Sequence, residues 1–139
     1  MAITVAEVMA RDPATVNADS PVSEAARIMR AADVGDVLVL DSGRLSGIVT
    51  DRDIAIRVVA ENKNPDTPVS EACSGAELTT VTPDTKVEQA VQLMRRQAIR
   101  RLPVVEGEHP VGIVSIGDLA IERDERSALA DISAAEPNQ

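Results

Sequence analysis

Thr15-Val16 returns as Thr80-Val81, and Asp53 returns as Asp118, each pair 65 residues apart. Between those ends the register holds without a gap. Asp19 falls on Asp84, Val22 on Val87, Ala25 on Ala90, Met29 on Met94, Val39 on Val104, and Gly47-Ile48-Val49 on Gly112-Ile113-Val114. A constant shift over so long a stretch argues for duplication of one structural unit. The period exceeds the roughly 20–50 residues of stacked solenoid repeats, and there are only two copies. Two like halves facing each other fit this better than an open array. The chain divides on this basis into a first repeat over 1–60, a linker over 61–68, a second repeat over 69–124 and a tail over 125–139.

Each half reads the same way. A short β-rich piece, Ala14 to Val16 or Thr79 to Val81, leads to a helix start. In the first copy Ser20 precedes Pro21 at the first helical position; in the second Thr85-x-x-Glu88 forms a capping box. Val22, Ala25, Ala26 and Met29, and then Val87, Ala90, Val91 and Met94, fall at i, i+3, i+4 and i+7, the spacing of an amphipathic helix. Two β-branched runs follow in each half and predict hairpins: Asp36–Leu40 with Leu45–Thr50, and Arg101–Val105 with Pro110–Ser115. A second helix is predicted from Arg52 to Ala60 and from Gly117 to Arg123. Two prolines and two asparagines make 61–68 a loop, and the tail carries at most a helical turn around Ser127 to Ile132.

Composition limits what such a fold can do. At 139 residues one core buries roughly 68–70% of the unfolded surface, so neither disulfide nor metal is needed to close the fold. Cys73 is the single cysteine, there is no signal-peptide pattern, and no apolar run nears the ~20 residues that span a bilayer, which points to a cytoplasmic chain. With 14 Lys+Arg against 23 Asp+Glu the net charge is −9, which disfavours nucleic acid and a polybasic membrane patch. Phe, Trp and Tyr are absent, so any bound ring lies against aliphatic side chains. One His and one Cys are too few for a His/Cys metal site, and no cofactor or catalytic residue is expected.

Each hairpin ends in the same pattern: Gly47-Ile-Val-Thr50-Asp-Arg-Asp53 and Gly112-Ile-Val-Ser115-Ile-Gly-Asp118. Two readings stand. In one, the hydroxyl residue caps the following helix and the Asp at its third position bonds back to the cap's backbone N–H. In the other, the same junction is a nucleotide half-site, in which the hydroxyl and free N–H groups receive a phosphate and the carboxylate accepts both hydroxyls of a ribose.

The duplicated β-α-β-β-α order, the openings Val5-x-x-Val8-Met9 and Val69-x-x-Ala72-Cys73, the Arg100-Arg101-Leu102-Pro103-Val104 strand and both G-h-h-[ST]-x-x-D ends resemble a tandem pair of cystathionine β-synthase (CBS) domains, a Bateman module, over about residues 3 to 124. The resemblance implies an α/β (α+β) fold of two repeats packed with pseudo-twofold symmetry, sheets inside and helices outside. It also implies a stand-alone regulatory module, not an enzyme, binding AMP, ADP, ATP or S-adenosylmethionine between the repeats and signalling to an unidentified target protein, usually as a homodimer. Under it, Asp53 and Asp118 hold ribose hydroxyls, Thr50 and Ser115 contact phosphate, Thr15 and Thr80 meet the adenine edge, and Arg100 reaches the phosphate tail. The first repeat departs from the pattern at Gly35, followed by Asp36, which leaves Arg52 or Arg57 as its basic groups and makes the second half-site the stronger one for phosphate.

The remaining residues read more simply. Asp51 is a solvated neighbour of Asp53, because residues two apart at a helix start diverge. His109 lies in an exposed hairpin loop, Cys73 matches apolar Met9 as a structural thiol, and Arg95 and Arg96 lie on a solvated helix face, while Arg100 or Arg101 can supply local positive charge to a cleft. Ile54, Ile56, Val58, Val59, Leu119, Ala120 and Ile121 exceed one core-facing stripe and predict homodimerisation. The competing function is a ligand-free dimerisation or protein-interaction module in which both junctions are only caps. A hydrolase built on Asp51 and Asp53 has no nucleophile, oxyanion hole or metal cluster to support it.

Overall fold

A computed structural model of the chain describes residues 3–73, 78–117 and 119. The expected helix at Gly117 to Arg123 falls almost wholly outside that range, as do Asp118 and the tail. In chain order the elements are a 3-10 turn (Val5–Glu7), β1 (Ala10–Arg11), β2 (Thr15–Asn17), α1 (Val22–Ala32), β3 (Asp36–Asp41), β4 (Arg44–Thr50), α2 (Asp51–Ile54) with a π-helical continuation (Ala55–Val59), α3 (Val69–Ala72), α4 (Val87–Gln97), β5 (Arg101–Glu106) and β6 (His109–Ser115). The fold is the expected mixed α+β arrangement of two small sheets with helices.

One sheet has the order β2-β3-β4, the other β1-β6-β5. In the first, β2 runs parallel to β3, and β3 and β4 form an antiparallel hairpin in which Asp36 opposes Thr50. In the second, β5 and β6 form the matching hairpin in which Arg101 opposes Ser115. The strand expected over Thr79 to Val81 shrinks to one parallel bridge between Val81 and Val104, and His109, expected in a loop, opens β6.

Alternation along β3 shows why the sheets lie inside. Val37 and Val39 join the first core with Val22, Ala25 and Met29 of α1. Leu38 faces the other way, since successive strand residues point to opposite faces, yet it is fully buried. In β5, Leu102 and Val104 join α4 in the second core while Pro103, in the register position of Leu38, is also fully buried. Burial on both faces requires a cover on each: helices on one side and the opposite sheet on the other.

The chain also crosses between halves. Val5 belongs to the core of the second repeat, with Ile3, Val8 and Met9 packed against it. Val69 and Ala72 belong to the core of the first, with Cys73 against it. β1 pairs with β6, so the first residues of the chain extend the second sheet. The segment that leads into each opening also caps the helix of the half it joins. Val22 N–H donates to the Thr67 carbonyl at 2.8 Å and Ser23 N–H to that of Pro65 at 3.2 Å, while Val87 N–H donates to Ile3 at 2.9 Å.

These backbone partners replace the caps read from sequence. Pro21 is itself the cap residue of α1, which starts at Val22 with no side-chain cap, because Pro21 is held extended in a bridge to Pro68. At α4 the cap residue is Lys86, whose N–H donates to Gln89 Oε1 at 3.0 Å; Thr85 Oγ1 instead accepts from Thr82 N–H at 3.1 Å, and Glu88 takes no part. Among the described residues no helix is long and apolar enough to cross a membrane.

Candidate functional site

The two strand-to-helix junctions come to the same end of the joint between the halves. At the first, Thr50 N–H donates to Asp53 Oδ2 at 2.9 Å, and Asp53 N–H donates to Thr50 Oγ1 at 3.0 Å. The capping box is therefore formed in the first repeat. The second Asp53 oxygen, Oδ1, lies 3.7 Å from Arg57 Nε, one helical turn on. That ion pair occupies Arg57, one of the two basic residues expected near this half-site; Arg52 is exposed. Asp51 is also exposed, and its Oδ1 accepts from Arg52 N–H at 2.8 Å.

The strand starts are tied to the junctions by matching hydrogen bonds. Asp51 N–H donates to the Gly35 carbonyl at 3.0 Å, and Ile116 N–H donates to the Arg100 carbonyl at 2.8 Å. Gly35 and Arg100 thus hold the same place in the two halves, beside the start of the following helix. Arg100 is exposed there and Ser115, opposite Arg101, is half-buried. A side chain at position 35 would meet Asp51, since a Cβ built there lies 3.1 Å from Asp51 Oδ2. The absence of a basic side chain in the first half is therefore matched by a carboxylate in the space.

Across the joint, Asp36 and Arg101 form an ion pair, their side chains 17% and 38% exposed. Sequence reasoning singled out neither as a pair, although 36 and 101 are the same position of the repeat and carry opposite charges. Burial holds the Asp36 carboxyl above its usual range; the Arg101 guanidinium opposes that rise and the Asp51 carboxylate adds to it. At the far end of the joint an exposed pair, Arg44 Nε to Glu108 Oε2 at 3.0 Å, accompanies the Leu45 N–H to Glu108 carbonyl bond at 3.0 Å.

Thr15, half-buried beside Leu38, lines a groove of about 770 Å³ with Arg11, Asp12, Glu106 and Pro110. Thr80 is exposed and lines a separate depression with Thr82, Gln89 and Arg96. Cys73 packs on the hairpin of the first half, its Sγ 3.6 Å from a Cβ built at Gly47; burial, helped by the Asp53 carboxylate and opposed by Arg57, holds the thiol above its usual range, as befits a packing residue. Of the residues read as surplus apolar surface, Val58 and Leu119 are core, Ile54 packs against the first core, and Ile56 and Val59 remain 45% and 69% exposed; Ala120 and Ile121 lie outside the described residues.

Comparison with known proteins agrees with this architecture. The family model described as "CBS domain" matches residues 5–60 and again residues 75–124. CBS domain-containing protein YhcV of Bacillus subtilis (strain 168) is 42% identical over 134 residues, covering 94% of this chain and 95% of that protein. The crystal structure of the CBS domain pair of protein MJ0100 in complex with 5′-methylthioadenosine and S-adenosyl-L-methionine superposes with a TM-score of 0.81 at 26% identity, covering 91% of this chain and 99% of the other. The hexameric CBS-CP12 protein from bloom-forming cyanobacteria superposes with a TM-score of 0.74 at 26% identity, covering 96% and 90%.

Proposed function

This chain belongs to the CBS-domain family, and from that premise we propose that it is a stand-alone sensor that binds an adenosine-containing ligand between its two repeats and passes its state to a partner protein. The observation that carries the reading is the convergence of both G-h-h-[ST]-x-x-D junctions on one end of the joint between the halves. Asp53 offers two carboxylate oxygens beside the Thr50 hydroxyl, and Asp118 repeats that position in the second half. A similar CBS pair holds 5′-methylthioadenosine and S-adenosyl-L-methionine, which supports AMP, ADP, ATP and S-adenosylmethionine as the compounds to try. The module regulates and does not catalyse, and it acts in the cytoplasm.

Thermal unfolding followed by circular dichroism tests this, since the chain has no aromatic residue to report by fluorescence. A ligand at about 100 times its dissociation constant stabilises the fold by roughly 2.7 kcal/mol, which at this chain length is a rise of roughly 10 °C in Tm. At least one of the four compounds is expected to give it. A melt unmoved by all four at millimolar concentration favours the second reading, an interaction module without ligand. That reading has its own observation: the Thr50–Asp53 box is already closed and accounts for the motif as a helix cap.

Under either reading the chain dimerises. Ile56 and Val59 of the π-helical stretch are exposed, and Ile116 is 50% exposed. Sedimentation equilibrium is expected to give twice the mass of one chain at micromolar concentration, and Ile56→Asp with Val59→Asp is expected to return it to a single chain. A wild-type monomer at that concentration contradicts the assignment.

A further inference from the structure

Asp36 begins β3 and Arg101 begins β5, at one position of the duplicated unit, and they pair across the joint. Asp36 opposes Thr50 and Arg101 opposes Ser115 in the two registers, and directly opposed residues share a face of their sheet. Each member of the ion pair therefore stands beside one of the two hydroxyls that the sequence reading gives to phosphate.

We propose that Asp36 is the charge-selecting residue of this cleft: it holds Arg101 away from ligand anions, so a phosphate-bearing ligand must compete with it for the guanidinium while a neutral adenosine compound need not. The inference rests on the reading of the cleft as an adenosine site. Arg101 is the more exposed partner, so it is the one with room to turn toward a ligand. The charged groups that act on Asp36 from the elements packed around it are Arg101 of β5 and Asp51 of α2. When a ligand anion takes Arg101, Asp36 is left facing Asp51 in a partly buried position and takes up a proton. Anion binding is thereby linked to proton uptake and tightens as pH falls. The carboxyl starts above its ordinary range, because burial outweighs the opposing guanidinium.

Titration calorimetry with adenosine and with adenosine 5′-sulfate, whose ester does not titrate, separates charge selection from a structural effect. Asp36→Asn is expected to bind the sulfate ester at least about tenfold more tightly than wild type, the size of one charge-assisted contact, with adenosine changed less than about twofold. Arg101→Gln leaves the carboxylate without its partner and is expected to weaken the ester while sparing adenosine. In wild type the ester binds more tightly as pH is lowered from about 7 to about 5, and in Asp36→Asn this trend is lost. Adenosine bound normally, with the ester's relative affinity and pH dependence the same in wild type and both variants, overturns the role of Asp36 and leaves the adenosine site standing. Adenosine bound by none of the three proteins overturns both.

Discussion

Gly112→Ala is expected to destabilise the fold by about 3 kcal/mol, whereas Gly47→Ala, the same substitution at the same position of the other repeat, costs less than about 1 kcal/mol. A Cβ at Gly112 lies 2.5 Å from Met9 Sδ and 2.9 Å from the Ala10 carbonyl oxygen. The thioether can swing away, but the carbonyl belongs to β1, which is paired along β6 through Ala10–Ile113 and Arg11–Gly112. The clash is therefore with backbone that cannot yield without giving up the pairing. At Gly47 the added methyl meets Cys73 Sγ at 3.6 Å, an ordinary contact, and the lower entropy of the unfolded chain offsets about 0.4–1 kcal/mol. Urea unfolding followed by circular dichroism measures both. Equal losses from the two substitutions contradict the crossing of the first residues onto the second half.

That contrast explains the glycine of the G-h-h-[ST] pattern without reference to a ligand. In the second repeat it is the place where the opening of the other half passes over the strand. The crossing itself was not legible in the sequence, and the reason is symmetry. Val5 aligns with Val69 and Met9 with Cys73 whether each opening folds onto its own half or onto the opposite one, so the alignment cannot distinguish the two. Burial does, by putting Val5 in the second core and Val69 in the first.

Features that depend on local periodicity were legible. The apolar spacing of Val22, Ala25 and Met29 and of Val87, Ala90 and Met94 identified the buried faces of α1 and α4, and both hairpins lie within a residue of the expected ends; Ala26, expected on the first face, is exposed. Features that depend on a distant partner were not. The caps of α1 come from carbonyls of the linker, some 45 residues on, and no local motif marks them. The helix after Thr50 carries a π-helical stretch from Ala55 to Val59 in a segment with neither proline nor glycine. The Asp36–Arg101 pair was present in the 65-residue register as an acid aligned with a base, but only the facing of the sheets turns that alignment into a contact.

The two readings of the [ST]-x-x-D junction separate at Asp53. Its Oδ2 is committed to the Thr50 N–H, while Oδ1 has only a 3.7 Å approach from Arg57. An asparagine at this position places its one amide oxygen where the cap needs it and its nitrogen, a donor only, where a ribose hydroxyl needs an acceptor. Asp53→Asn therefore preserves the cap and removes the charge-assisted contact to ribose. Stability falls by no more than about 1 kcal/mol, since the pair lost with Arg57 is a partly exposed i,i+4 contact. Loss of a charge-assisted hydrogen bond to ligand lowers affinity roughly 10- to 100-fold. With two half-sites present, the substitution is made at Asp118 as well. Adenosine titrated calorimetrically into the wild-type chain and the Asp53→Asn, Asp118→Asn double variant, each shown to be folded by circular dichroism, is expected to bind the first and to bind the second at least about tenfold more weakly; equal affinity for the two proteins, or no binding of adenosine, AMP or S-adenosylmethionine to the wild type at millimolar concentration, contradicts the assignment of this cleft to an adenosine ligand.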